Sequence, residues 1–135
     1  MNNLWNLKGI KSNIKNSPNL ILEEQAKFFE KGVDDILYAK INNAKLNENE
    51  ALKYKLATNF SIVSPVLDNY TYVLLTVYSN PESNYPVLIS VNCDEGNNEY
   101  QCNNEEEFIY ALSKILGSEK TTETISVLYS KSRNY

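Results

Sequence analysis

Apolar residues recur at spacings of three and four after Ser17-Pro18, which is the pattern of an amphipathic helix. Serine is a favoured helix cap, and proline suits the first helical position because its missing N–H has no intrahelical partner there. The apolar positions of this stretch are Leu22, Ala26, Phe29, Val33 and Ile36. The pattern therefore predicts a helix from Pro18 to about Leu37.

Residues 54–62 alternate between apolar and polar side chains with a period of two. Residues 70–78 and 85–91 are rich in β-branched and aromatic side chains that would alternate between the two faces of a sheet, and turn-forming residues separate the three stretches. A further short strand is predicted over residues 98–102. The connections are too short for helical crossovers, so the strands are predicted to form an antiparallel meander. Residues 70–78 are apolar or aromatic on both alternating faces, which predicts a central strand.

Two stretches fit more than one element. Residues 38–45 either continue the first helix or form a short edge strand, because Ala39, Ile41 and Asn43 alternate with other residues. Residues 119–132 fit a helix or a strand. We favour the helix because Ser118 is a good cap that directly follows a tight turn.

The segment before that turn carries clear signals of a helix. Asn104 and Glu107 have the spacing of a capping box, in which two side chains satisfy free N–H groups at the helix start. Gly117 is a typical residue just after a helix end. These signals predict a helix between them, with Phe108 among its apolar positions.

Together the elements predict an α+β fold: an N-terminal helix, an antiparallel β-meander of three to five strands, and one or two C-terminal helices packed on one sheet face. Residues 18–135 form a single domain in this interpretation, and residues 1–17 form an arm. Leu7, Ile10 and Ile14 suit a short amphipathic helix in the arm. The arm either packs Trp5 on the domain or is exchanged with a second subunit.

Charge is distributed unevenly along the chain. The net charge is −4, yet residues 1–19 contain Lys8, Lys11 and Lys15 and no acid, which leaves −7 for the rest. A net negative charge opposes binding to nucleic acid and to anionic membranes, and it favours a protein partner with a basic surface. No apolar run is long enough to span a membrane, and the start is too polar for a signal peptide, so the cytoplasm is expected.

The composition removes several classes of chemistry. The chain contains no histidine, so histidine-dependent catalytic triads are excluded, and two cysteines without C-x-x-C spacing argue against a zinc site. No glycine-rich phosphate loop exists. The acidic pair Asp34-Asp35 suits a solvated face, and the run 105–107 suits a helix start. The sequence predicts a protein that is not an enzyme and needs no metal or cofactor.

Cys93 and Cys102 flank a predicted hairpin turn at residues 94–97, where the two side chains would face each other. The same turn offers oxygen ligands without the spacing of an EF-hand. Because cytoplasmic thiols normally stay reduced, we expect two free cysteines and an ordinary turn.

Tyrosine is the strongest remaining signal, with ten in the chain. Tyrosine provides a large contact area and a hydroxyl at low entropy cost, and it is enriched at interfaces. The predicted partner-binding residues lie on adjoining strands and the turn before them: Tyr70, Tyr72, Tyr78, Tyr85, Asp68 and Asn69. The competing interpretation is a normal core whose tyrosines point their hydroxyls outward.

These features predict a non-enzymatic cytoplasmic protein-binding module, such as an acidic bacterial immunity protein, an antitoxin or a phage-encoded inhibitor. It would act by blocking a partner's surface. The alternative is a small-ligand-binding protein with a pocket of tyrosine and asparagine side chains between sheet and helices. A homo-oligomer is compatible with both functions, because the edges of a meander need cover.

Overall fold

The fold is described by a computed structural model, which covers residues 1–47, 53–92 and 98–135. The helices are α1 (Leu7–Ser12), α2 (Pro18–Gly32), α3 (Glu105–Leu116) and α4 (Glu119–Arg133). The strands are β1 (Tyr38–Lys45), β2 (Leu56–Ser64), β3 (Tyr70–Asn80), β4 (Ser83–Val91) and β5 (Glu99–Cys102). They form one antiparallel sheet in chain order, which confirms the predicted α+β meander.

Helix α2 begins as predicted but ends earlier. The Ser17 hydroxyl accepts a hydrogen bond from the Leu20 N–H over 3.3 Å, and Pro18 occupies the first turn. The predicted extension to Leu37 is wrong, because α2 stops at Gly32. Asp34 and Asp35 follow with φ angles of 53° and 58°, a left-handed conformation that cannot continue a right-handed helix.

The two ambiguous stretches are resolved. Residues 38–45 form the edge strand β1, which pairs with β2 along its whole length. Residues 119–132 lie in α4, where the Ser118 hydroxyl accepts from the Thr121 N–H over 3.1 Å. Helix α4 is also tied to the sheet, because the hydroxyls of Ser64 and Ser132 lie 2.6 Å apart in a buried position.

The start of α3 differs from a capping box by one residue. The Asn104 side chain accepts from the Glu107 N–H over 2.9 Å, as predicted. The Glu107 carboxylate, however, accepts from the Asn103 N–H over 2.8 Å, one residue before the cap. Both contacts satisfy N–H groups near the helix start, so the stabilising effect is similar.

Helices α2, α3 and α4 cover one face of the sheet, which we call the core face. Their apolar side chains share a cluster with those of all five strands, including Leu22 on α2, Phe108 on α3 and Ile125 on α4. None of the described helices contributes to the other face, which we call the open face. Along the open face a polar row crosses the sheet in register: Asn42, Asn59, Thr76, Ser90 and Glu99.

A β-bulge in β3 interrupts the predicted alternation. Phe60 pairs with Leu75 and Ser61 pairs with Val73, so Leu74 is an extra residue without a partner in register. Leu74 and Leu75 are both buried in the core cluster. The bulge therefore places two successive side chains on the core face.

This bulge changes which tyrosines share a face. The alternation predicts Tyr70, Tyr72 and Tyr78 on one side of β3. In the structure Tyr72 packs against the core cluster, whereas Tyr78 alternates with the core residue Val77 and lies on the open face. The predicted common face is wrong because the period of two holds only on either side of the bulge.

Some buried apolar residues lie outside the core cluster. Tyr54, Ala57 and Val63 are buried but do not belong to the core cluster. Tyr54 precedes β2, and its hydroxyl accepts a hydrogen bond from Nε2 of Gln101 over 3.1 Å. The predicted start of this strand at residue 54 is therefore two residues early, and Tyr54 covers part of the open face instead.

The arm is helical but does not pack on the domain. Helix α1 has no buried residue, and Trp5 remains 74% exposed. The prediction that Trp5 packs on its own domain is therefore wrong. The arm is held at its base, where the Tyr85 hydroxyl donates to the Asn16 carbonyl over 3.0 Å.

Candidate functional site

A groove opens between the start of β3 and helix α4, with a volume of about 470 Å³. We call it the tyrosine groove. Its lining residues are Leu67, Tyr70, Tyr72, Thr124, Val127, Leu128 and Lys131. Tyr70 is 54% exposed and Val127 is 56% exposed, so large carbon surfaces face solvent. Exposed tyrosine and valine carbon beside a groove makes it a candidate interaction surface.

The turn before β3 fixes the position of the groove. Asp68 and Asn69 have φ angles of 56° and 59°, a left-handed conformation that Asp and Asn tolerate better than most residues. The Thr71 hydroxyl donates to the Asn69 carbonyl over 2.9 Å. The Tyr72 hydroxyl donates to the Asn92 carbonyl over 3.2 Å. These bonds hold the chain on either side of Tyr70, so the groove is preformed.

The structure brings together four of the six predicted binding residues. Tyr70 and Tyr72 line the tyrosine groove, and Asp68 and Asn69 form the turn directly before them. Tyr78 lies on the open face of the sheet, where it pairs with Leu88. The predicted residues therefore do not form one surface.

Tyr85 lies at the other end of the molecule. Its ring meets the Phe108 ring edge-on, with 6.1 Å between the ring centroids. Burial, followed by the charges of Glu105 and Cys102, raises the pKa of its hydroxyl to about 12. This hydroxyl already holds the base of the arm, so Tyr85 has a structural role.

A second groove of about 730 Å³ lies between the edge strand β5 and helix α3. We call it the edge groove. Its lining residues are Glu99, Tyr100, Gln101, Cys102, Asn103, Glu106, Glu107, Tyr110 and Ala111. From the sequence, Glu106 and Glu107 were interpreted only as part of a helix start, and Tyr100 and Tyr110 were not among the predicted binding residues. The spacing of four between Glu106 and Tyr110, which places both on one helix face, was the available signal.

The described residues offer no candidate metal centre. Within 1–47, 53–92 and 98–135, no three Cys, Asp or Glu side chains converge to hold a metal ion. None of the helices in these ranges has the length and apolar character that a membrane span requires. The turn at 94–97 and Cys93 lie outside the described residues, so the predictions about them stay predictions.

Cys102 is a free thiol buried at the base of the edge groove. Its sulfur lies 3.7 Å from the carbonyl oxygens of Tyr100 and Glu107. Burial and, to a lesser degree, the Glu107 carboxylate raise the pKa of this thiol from its ordinary value of 9.0 to about 11. Because the thiolate is the nucleophile, Cys102 is chemically inert near neutral pH.

We expect folded protein at pH 8 to react with iodoacetamide at Cys102 at least about 100-fold more slowly than unfolded protein, because two pKa units lower the thiolate fraction by that factor. Mass spectrometry of the Cys102 peptide measures both rates. The unfolded chain releases this proton near pH 9 and the folded chain near pH 11, so stability must fall as the pH rises through this interval. Fast labelling of the folded protein would contradict the raised pKa of Cys102. So would a fall in melting temperature between pH 9 and 10 that is as large for Cys102→Ala as for the wild type.

Comparison of the chain with models of known protein families, with curated proteins and with solved structures finds no match.

Proposed function

We propose that this protein is a non-enzymatic protein-binding module that uses the tyrosine groove to cover a partner's surface. The observation that carries the proposal is the exposure of Tyr70 and Val127 across a preformed apolar groove. A rigid tyrosine loses little entropy on binding, and tyrosines in central, desolvated positions contribute most to interface affinity. The groove joins a hairpin to a helix, so partner side chains that enter it would contact two elements at once.

The net negative charge of the protein affects the rate at which a partner approaches more than it affects the contacts in the groove. The lining of the tyrosine groove contains one charged residue, Lys131, and Asp68 lies at the turn beside it. The net charge of −4 acts at long range and favours encounter with a basic protein surface. We therefore assign specificity to the apolar contacts and the rate of encounter to the overall charge. The cytoplasmic location of this binding is proposed on the sequence features alone.

Paired charge insertions test the groove. Val127 on α4 and Ile109 on α3 are both exposed helical residues, at 56% and 47%, but only Val127 lines the tyrosine groove. Wild-type protein, Val127→Glu and Ile109→Glu are immobilised and incubated with lysate of cells that naturally contain the protein. We expect one protein to be retained by wild type and Ile109→Glu and lost by Val127→Glu. A charge buried in an apolar interface lowers affinity by at least about 100-fold.

Titration calorimetry with the purified partner then gives the affinity. We expect Tyr70→Ala to weaken binding about 30-fold, the loss that corresponds to a hot-spot residue of about 2 kcal/mol. Equal retention of every protein by wild type and both variants would show that the groove is not the binding surface.

A small-ligand site is the second candidate. The volume of about 470 Å³ lies within the roughly 300–1,000 Å³ of small-molecule pockets. The groove is nevertheless partly open and lined mainly by carbon, and neither Asn69 nor Tyr78 lines it. A metabolite that raises the melting temperature of wild type and Ile109→Glu, but not of Val127→Glu, would favour this function over protein binding.

A further inference from the structure

The arm exposes apolar side chains that nothing in the described chain covers. Their exposed fractions range from 49% to 83% for the following residues: Leu4, Trp5, Leu7, Ile10 and Ile14. Helix α1 is only six residues long, and isolated helices of that length are not stable in water. A contact surface for α1 would supply the missing stability.

The arm also has a helix cap and a fixed base, and both features favour docking. The Asn6 side chain caps α1 by accepting from the Gly9 N–H over 3.1 Å. At the base, the Tyr85 hydroxyl and the buried Pro18 attach the arm to the domain. Because the cap favours the helical conformation and the base of the arm is held on the domain, docking would cost less conformational entropy than for a free segment.

The edge groove has the complementary chemistry. Its lining contains the carboxylates of Glu99, Glu106 and Glu107 and no basic residue, whereas the arm carries lysines and no acid. The exposed rings of Tyr100 and Tyr110 lie in the same groove and offer aromatic carbon to an indole ring. The Lys114 ammonium occupies one face of the Tyr110 ring, with its Nζ 5.3 Å from the ring centroid. The groove also borders β5, an edge strand whose outer side has no strand partner within the described sheet.

The other grooves lack this complementarity. The tyrosine groove has Lys131 and no acid in its lining, so it would repel the arm's lysines. The groove beside Phe28, between α2 and α4, has no charged residue in its lining. Only the edge groove matches both the charge and the apolar character of the arm among these surfaces.

We propose that the edge groove of one copy receives the arm of a second copy. Trp5 and Leu7 contact Tyr100 and Tyr110, and Lys8 and Lys11 lie near the groove glutamates. In a two-fold dimer each copy gives one arm and takes one, so both grooves are filled and the assembly closes. This association uses a different surface from the tyrosine groove and does not depend on the function proposed for it.

Reciprocal charge reversal tests the exchange. One variant carries Lys8→Glu and Lys11→Glu in the arm, and the other carries Glu99→Lys and Glu106→Lys in the groove. Glu107 is left unchanged because its carboxylate holds the Asn103 N–H. Sedimentation velocity up to millimolar concentration gives the dimer dissociation constant. We expect each variant to weaken self-association by about tenfold or more, and the equimolar mixture to restore it with one copy of each.

Two matched variants control for net charge. Lys27→Glu with Lys120→Glu matches the arm variant, and Glu24→Lys with Glu123→Lys matches the groove variant, all at exposed helical positions outside the edge groove. We expect both controls to dimerise like the wild type. Because Trp5 is the only tryptophan, its fluorescence reports on the arm, and we expect the emission to shift to shorter wavelength as the dimer forms.

Three results would overturn the proposal. The first is wild-type protein that stays monomeric over the whole concentration range. The second is a dimer dissociation constant that is the same for the arm and groove variants as for the control variants. The third is a monomer whose Trp5 emission already lies at short wavelength and does not depend on concentration, since this would show that the arm occupies the groove of its own chain.

Discussion

Replacement of Phe108 by alanine is expected to lower the free energy of unfolding by about 3–5 kcal/mol, the usual loss for a buried phenylalanine. Phe108 is fully buried, and α3 has no larger side chain in the core cluster. Its ring packs edge-on against Tyr85, which in turn holds the base of the arm. The cavity would therefore loosen α3 and the arm together. Urea denaturation followed by circular dichroism measures the change.

Phe28 provides the matched control because it is also a helical phenylalanine but is 70% exposed. Phe28→Ala is expected to change the free energy of unfolding by no more than about 0.5 kcal/mol, as is usual for surface positions. Similar losses for the two variants would mean that α3 does not pack on the sheet in the way described. Such a result would also remove the physical basis for the α3 wall of the edge groove.

The prediction of the fold succeeded where one periodicity dominated a long stretch. Helix α3 has a clear apolar stripe and signals at both ends, and its predicted range agrees with the structure. Residues 38–45 were ambiguous because a short segment with polar residues at half of its positions supports neither period strongly. Its pairing with β2 settles the matter, and pairing is a long-range property that a local pattern does not contain.

The bulge at Leu74 shows a second limit. Leu74 and Leu75 are equally apolar, and no glycine or proline marks the position where an extra residue enters β3. The alternation on either side of the bulge is correct, but the two halves are out of phase by one residue. This single residue separates Tyr78 from Tyr70 and Tyr72, so the predicted binding set divides between the two faces of the sheet.

The edge groove was missed for a related reason. Tyr100 lies in a strand of four residues and Tyr110 on the following helix, and neither element shows that the two rings flank one groove. The composition did indicate an electrostatic attraction, since the sequence shows a basic arm and an acidic remainder of the chain. The sequence did not show that the fold places the glutamates of this groove beside exposed aromatic rings.

Tyr54 connects the stability of the fold to the open face of the sheet. It is 6% exposed, although it lies outside the core cluster and on the side that carries no helix. Its hydroxyl accepts from Nε2 of Gln101, a residue of β5 that alternates with the core residue Cys102. Tyr54 therefore links the residues directly before β2 to the far edge strand.

We expect Tyr54→Ala to lower the free energy of unfolding by about 3 kcal/mol, since it removes a buried aromatic ring. Tyr54→Phe keeps the ring and removes only the hydrogen bond, so it should lose about 1 kcal/mol. Tyr110→Ala, at a position 64% exposed, should stay within about 0.5 kcal/mol of wild type. Urea denaturation of the three variants separates packing from hydrogen bonding. If Tyr54→Ala were as stable as Tyr110→Ala, the segment before β2 would not cover the open face, and that whole face would be free for a partner.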